Sequence, residues 1–128
     1  MGAIASAKVR ATVAVSDRDR ARAFYRDTLG LTLEDENPSI SSYRCGDGTI
    51  LDVYQSEFAG TAKSTVASFQ VSDLSVAMAE LRSRGVEFQE YAGGSMTTTN
   101  GVAARGGVRG AWFQDPDGNT LGLVQIVS

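Results

Sequence analysis

Apolar and polar residues alternate in short runs along the chain, and the runs come in two matching sets. Val9–Asp17 (VRATVAVSD) returns as Thr65–Asp73 (TVASFQVSD), and Asp47–Gln55 (DGTILDVYQ) returns as Asp117–Gln125 (DGNTLGLVQ). Period-two alternation predicts strands over about Val9–Val15 and Val66–Val71. Each strand runs into a helical pattern. The first helix is expected over roughly Asp17–Leu29, with Ala21, Phe24, Tyr25 and Leu29 near helical spacing. The second is expected over roughly Asp73–Arg84, where Leu74, Ala77, Met78 and Leu81 give one apolar stripe. Ser16 and Ser72 stand at the N-cap positions, and Asp19, three residues after Ser16, adds a weak capping-box pattern. Gly30 and Gly85 end the helices.

Three further strands follow each helix. In the first half they are Leu31–Glu34, Ser41–Cys45 and Thr49–Gln55, the last two joined by Gly46-Asp47-Gly48. In the second half they are Val86–Glu90, Gly110–Gln114 and Asn119–Ile126, the last two joined by Asp115-Pro116-Asp117-Gly118. Each half therefore reads as βαβββ, with module one at about 8–56, a linker at 57–64 and module two at about 65–126, all within a single domain over 1–128. Ala92–Gly107 is rich in glycine and threonine and shows no apolar period, so a long loop is expected there.

Composition narrows the function classes. A net charge of −3 argues against a nucleic-acid surface. No apolar run approaches a membrane span, and Met1–Lys8 lacks the long apolar segment of a secretory signal. A single cysteine, Cys45, allows no internal disulfide and fits a reducing compartment, so the chain reads as cytoplasmic. There is no histidine anywhere to activate Cys45 or to ligate a metal.

Val13–Gly30 (VAVSDRDRARAFYRDTLG), Phe69–Gly85 (FQVSDLSVAMAELRSRG) and Ala111–Gln125 (AWFQDPDGNTLGLVQ) together resemble the vicinal oxygen chelate superfamily, which contains glyoxalase I, bleomycin-resistance proteins and extradiol dioxygenases. The resemblance implies an α+β fold, two βαβββ modules forming a curled mixed sheet around a cleft. It also implies a homodimer whose clefts each combine module one of one subunit with module two of its partner. In the family's metalloenzymes, His, Glu or Gln from the first and last strands of each module hold a divalent ion. The matching positions here are Arg10, Asp52, Val66 and Gly122. A guanidinium stays protonated and cannot ligate, valine and glycine offer no donor, and one carboxylate is too few. No metal and no other cofactor is expected.

The expected function is accordingly a metal-independent small-molecule binding protein, with an antibiotic or other aromatic metabolite as ligand class. The alternative is an enzyme of the lyase or isomerase kind that uses Asp52 and Arg10 as catalytic groups without the metal. Strand parity places Thr12, Ser68 and Gln70 on the cleft side with Arg10, and Tyr54 on the same face as Asp52. Met96 and Arg105 belong to the long loop, which reads either as a cover over a ligand or as a mobile surface loop. Trp112 and Phe113 point to opposite faces, and which of them meets the cleft is open at this stage. Arg18, Arg20, Arg22 and Arg26, interleaved with Asp17, Asp19 and Asp27, read as a solvated helix face with local ion pairs.

Overall fold

The computed structural model describes residues 2–93 and 97–126. The two halves build two four-stranded mixed sheets of the same topology. β1 (Ala11–Val15), β2 (Thr32–Glu36), β3 (Ile40–Arg44) and β4 (Ile50–Gln55) form sheet one in the order β1-β4-β3-β2. β5 (Thr65–Gln70), β6 (Ala103–Arg105), β7 (Val108–Gln114) and β8 (Thr120–Ile126) form sheet two in the order β5-β8-β7-β6. In each sheet the first and last strands pair in parallel and the remaining pairs are antiparallel. The helices are α1 (Arg18–Arg22) and α2 (Leu74–Ser83).

Both helices are capped by aspartates rather than by the serines before them. Asp17 accepts from the amides of Asp19 and Arg20, and Asp73 accepts from that of Val76. A carboxylate meets the positive helix start with a full charge, which a hydroxyl does not. Ser16 is drawn away instead, its hydroxyl donating to Asp117. Helix one is α-helical only to Arg22. Ala23–Thr28 is a π-helical turn, closed by the Leu29 amide on the Phe24 carbonyl. The wider turn brings the consecutive residues Phe24 and Tyr25 both onto the core.

Module two departs from the βαβββ expectation. Val86–Glu90 is not a strand; Phe88 alone makes a bridge, to Phe113. The edge position is taken by β6, from inside the segment expected to be a loop. Two tight turns organise that segment. Asn100 and Gly101 (φ 53 and 81) turn between Thr99 and Val102, and Gly106 and Gly107 (φ 58 and 83) join β6 to β7. Both have the positive φ pair of a two-residue hairpin.

One hydrophobic cluster joins the modules. Val13, Val15, Tyr43, Leu51 and Val53 from sheet one meet Ala111, Phe113, Leu121 and Leu123 from sheet two, with Tyr25, Leu74, Met78 and Leu81 between. The helix-bearing faces of both sheets thus share a core, leaving their other faces free.

The Asp115–Asn119 turn latches module two onto module one. Asp115, 5 % exposed, accepts the Tyr25 hydroxyl (2.7 Å), the Asn119 side-chain amide (2.8 Å) and the backbone amides of Asp117 and Asn119 (3.0 and 2.9 Å). Asn119 also donates to the Ala14 carbonyl (2.7 Å) and accepts from the Gly60 amide (3.1 Å). Arg20 pairs with Asp117 at 2.7 Å, and Arg18 and Arg22 reach Glu36 in the β2–β3 hairpin. The arginine-rich helix is therefore largely tied to distant segments; only Arg22–Asp19 and Arg26–Asp27 are local pairs.

Burial, followed by the charge and hydrogen bond of Asp115, pushes the Tyr25 hydroxyl far above the ordinary tyrosine range. The native state therefore keeps this proton while an unfolded tyrosine loses it near pH 10. The Tyr25 contribution is fully present below that pH and declines by about 1.4 kcal/mol per unit above it. Tyr25→Phe should cost about 2 kcal/mol at pH 7, and the gap from wild type should narrow between pH 10 and 11. Urea titrations across that range check it; a gap independent of pH would remove Tyr25 as the cause.

Candidate functional site

The free face of sheet one carries Arg10, Thr12, Asp52 and Tyr54. Thr12 lies beside Asp52 in the parallel β1–β4 register, and Ser42 of β3 lies beside Asp52 on the other side. Arg10, just before β1, forms a two-pronged pair with Asp52: Nε to Oδ2 at 2.6 Å and Nη2 to Oδ1 at 2.8 Å. The Ser42 hydroxyl adds a third donor to Oδ1 at 2.6 Å and accepts from Arg10 Nη2 at 3.2 Å. Asp52 is 7 % exposed; its partner guanidinium is half-exposed. The hydrogen bond from Arg10 holds the Asp52 carboxyl below its usual range, helped by Ser42 and opposed by burial. Ser42 was missed from sequence. The Gly46–Gly48 turn carries the signal, because it fixes a register that pairs Ser42 with Asp52.

On sheet two, Trp112 falls on the free face and Phe113 on the core side, where it is fully buried. Trp112 stands opposite Gly122 in the β7–β8 register. Its indole lies over two glycines: a Cβ at Gly110 would sit 3.1 Å from the Trp112 ring, and one at Gly122 would sit 3.4 Å from Nε1. Tyr91 packs edge-on against the ring at 5.9 Å between centroids. Ser68 is also opposite Gly122, with its hydroxyl 2.9 Å from where a Cβ would be; Gln70 is beside Val124.

The fifth strand holds a correction. Pairing shifts between Thr65 and Ala67, so Val66 packs against the core, and Thr65, paired with Thr120, brings its methyl near Gly122. A bulge of this kind moves the facing residue by one.

Of the remaining predicted positions, Arg105 lies opposite Val108 at the outer edge of the same face. Met96 lies outside the described residues. In the described part of the loop, Gly101 packs on Phe88 and Met78, beside α2. Ser68 and Gln70 also line a groove of about 680 Å³ beside Ala11, Ile50 and Cys45; Arg10, Asp52 and Trp112 are not among its walls. Burial pushes the Cys45 thiol up, away from the reactive thiolate. Within one chain, then, the structure presents two separate groups: the Arg10–Asp52–Ser42 cluster with Thr12 and Tyr54, and Trp112 with Ser68, Gln70 and Arg105.

A family model described as the Glyoxalase/Bleomycin resistance protein/Dioxygenase superfamily matches residues 8–123. Among solved structures, TnmS3, an antibiotic binding protein from Streptomyces sp. CB03234, is 24% identical, with a TM-score of 0.69 and coverage of 94% of this chain and 98% of that one. A glyoxalase/bleomycin resistance protein from the same organism is 26% identical, with a TM-score of 0.64, covering 88% and 94%. A superfamily member from Sphaerobacter thermophilus DSM 20745 is 28% identical, with a TM-score of 0.67, covering 93% and 97%. No curated protein matches the chain. No helix among the described residues is long and apolar enough to cross a membrane.

Proposed function

The chain belongs to the Glyoxalase/Bleomycin resistance protein/Dioxygenase superfamily, and on that premise we propose that it is a metal-independent binding protein for a small aromatic molecule such as an antibiotic. The observation that carries this reading is the Trp112 indole resting against Gly110 and Gly122 on an open sheet face. A flat, rigid aromatic surface offers a large contact area at little cost in side-chain entropy. Its neighbours Ser68 and Gln70 add polar partners that orient a ligand. The likeness to an antibiotic binding protein agrees with a small-molecule ligand.

The residues at the family's metal positions do not fit a divalent ion. Asp52 is the one carboxylate, and both its oxygens are engaged by Arg10. Gly122 contributes no donor and is covered by an indole. A cation entering here would meet a guanidinium and a single acidic group, far short of three or four ligands. The same pair argues against Asp52 as a general base: a carboxyl held below its usual range is a weak proton acceptor near neutral pH. An Arg10–Asp52 pair is better suited to receiving a carbonyl or anionic oxygen on the free guanidinium edge.

The two groups complete one cleft when module one of one subunit faces module two of another. The exposed apolar residues Tyr54, Val108 and Ile126 on the free faces of both sheets support a homodimer. Light scattering on a size-exclusion column should give twice the chain mass; a strict monomer would remove the shared cleft.

Trp112 is the sole tryptophan, so its fluorescence reports directly on this face. An aromatic antibiotic panel should include quenchers that bind with micromolar affinity, and Trp112→Ala should weaken binding of the same compound by about 2 kcal/mol, roughly thirtyfold, in calorimetry. A ligand bound equally by Trp112→Ala would refute the platform. Turnover of a bound compound, abolished in Asp52→Asn, would instead establish the enzymatic alternative.

A further inference from the structure

Every arginine of module one sits in an ion pair, as does Arg84. Among the described residues Arg82, Arg105 and Arg109 do not. Arg82 and Arg109 line one groove, of about 620 Å³, on the helix-bearing side of module two. Arg109 alternates with Gly110 along β7, so the groove lies on the opposite side of sheet two from Trp112.

The groove is built rather than incidental. Ser75, Met78 and Arg82 form one wall along a single face of α2, and the Thr99–Val102 turn forms another. That turn is fixed by Glu90, whose carboxylate accepts from the Thr98 hydroxyl at 2.6 Å and the Gly101 amide at 3.0 Å. Gly101 sits where a Cβ would come 3.1 Å from Phe88 and 3.2 Å from Met78. Arg82 is held over the Phe88 ring at 5.2 Å and donates to the Asn100 carbonyl at 3.1 Å, which leaves most of its five donors unused. Arg109 is half-buried, and its guanidinium makes no hydrogen bond among the described residues. The walls hold two guanidiniums and the hydroxyls of Ser75, Thr97 and Thr99, and no carboxylate. Glu90, whose charge reaches Arg82, bonds within the turn through Oε1.

We propose that this groove binds a small phosphoryl-bearing anion between Arg82 and Arg109. Two planar guanidiniums match the oxygens of a phosphate in paired hydrogen bonds, and the hydroxyls supply further donors. Half-burying an unpaired guanidinium is unfavourable in the empty protein, so an entering anion relieves that cost. The site is independent of the aromatic face, and the fate of either reading leaves the other intact.

The test is titration calorimetry with pyrophosphate at low ionic strength, with sodium chloride at matched ionic strength as the control. Wild type should bind pyrophosphate at sub-millimolar concentration. Arg109→Gln should weaken it by about tenfold or more with an unchanged melting temperature in the absence of anion, and Arg26→Gln, which removes an exposed arginine paired only with Asp27, should bind as wild type does. Absence of binding up to about 10 mM, a weaker limit than any specific site would show, would overturn the proposal. So would equal binding by Arg109→Gln, or loss of binding in Arg26→Gln.

Discussion

Asp115→Ala should destabilise the protein by about 4 kcal/mol and lower its melting temperature by roughly 10–15 °C. Four donors lose their acceptor at once: the Tyr25 hydroxyl, the Asn119 side-chain amide and the amides of Asp117 and Asn119. Tyr25 is completely buried and Asn119 is 3 % exposed, so water cannot replace the carboxylate without opening the junction between the modules. Asp115→Asn separates charge from shape. Its remaining oxygen can serve the two backbone amides, and the Tyr25 hydroxyl can rotate, but its NH₂ then confronts the Asn119 NH₂. About half the loss is expected. Chemical denaturation of the three proteins measures both steps; an alanine variant within about 1 kcal/mol of wild type would show that the latch contributes little.

Gly60→Ala should cost about 3–4 kcal/mol although it adds a single methyl group. The would-be Cβ falls 1.9 Å from the Asp117 carbonyl oxygen, and Gly60 has φ +71. The obstacle is backbone, which cannot swing aside as a side chain does. Gly48→Ala is the matched control, with a φ of +75 and no atom within 4 Å of its Cβ. That variant carries only the left-handed penalty, about 1 kcal/mol. The difference between the two isolates the close approach of the linker to the Asp115–Asn119 turn. Equal losses would mean that the linker does not pack there.

Much of this architecture is legible in the residues. The repeated segments Val9–Asp17 and Thr65–Asp73 mark β1 and β5 with their following helices, and the glycine–aspartate turns place the hairpins. The caps were misplaced by one residue, because serine and aspartate are both good caps; at the first helix the pull of Asp117 on Ser16 decides between them. The edge strand β6 was readable: Asn100-Gly101 and Gly106-Gly107 are hairpin dipeptides, but they lie in a stretch whose composition reads as loop. The Val66 displacement was not readable. A bulge is decided by how β5 packs, and nothing in TVASFQ announces it.

The site divides in the same way. Arg10 with Asp52 follows from strand order and complementary charge. The face of Trp112 does not, because alternation gives parity within β7 but not which side the helices will cover.

The outer edges of the two sheets bear on how copies of this chain can meet. β2 is a free edge with three consecutive carboxylates, Glu34, Asp35 and Glu36, and the other free edge, β6, is three residues long. Unpaired strand edges recruit neighbouring strands into fibrils and swapped ladders, and negative charge or brevity blocks that recruitment. The inner edges, β1 and β5, already lie against one another. Growth by adding strands is thereby closed at both ends, and the broad faces are left as the surfaces through which a finite, non-fibrous assembly can form.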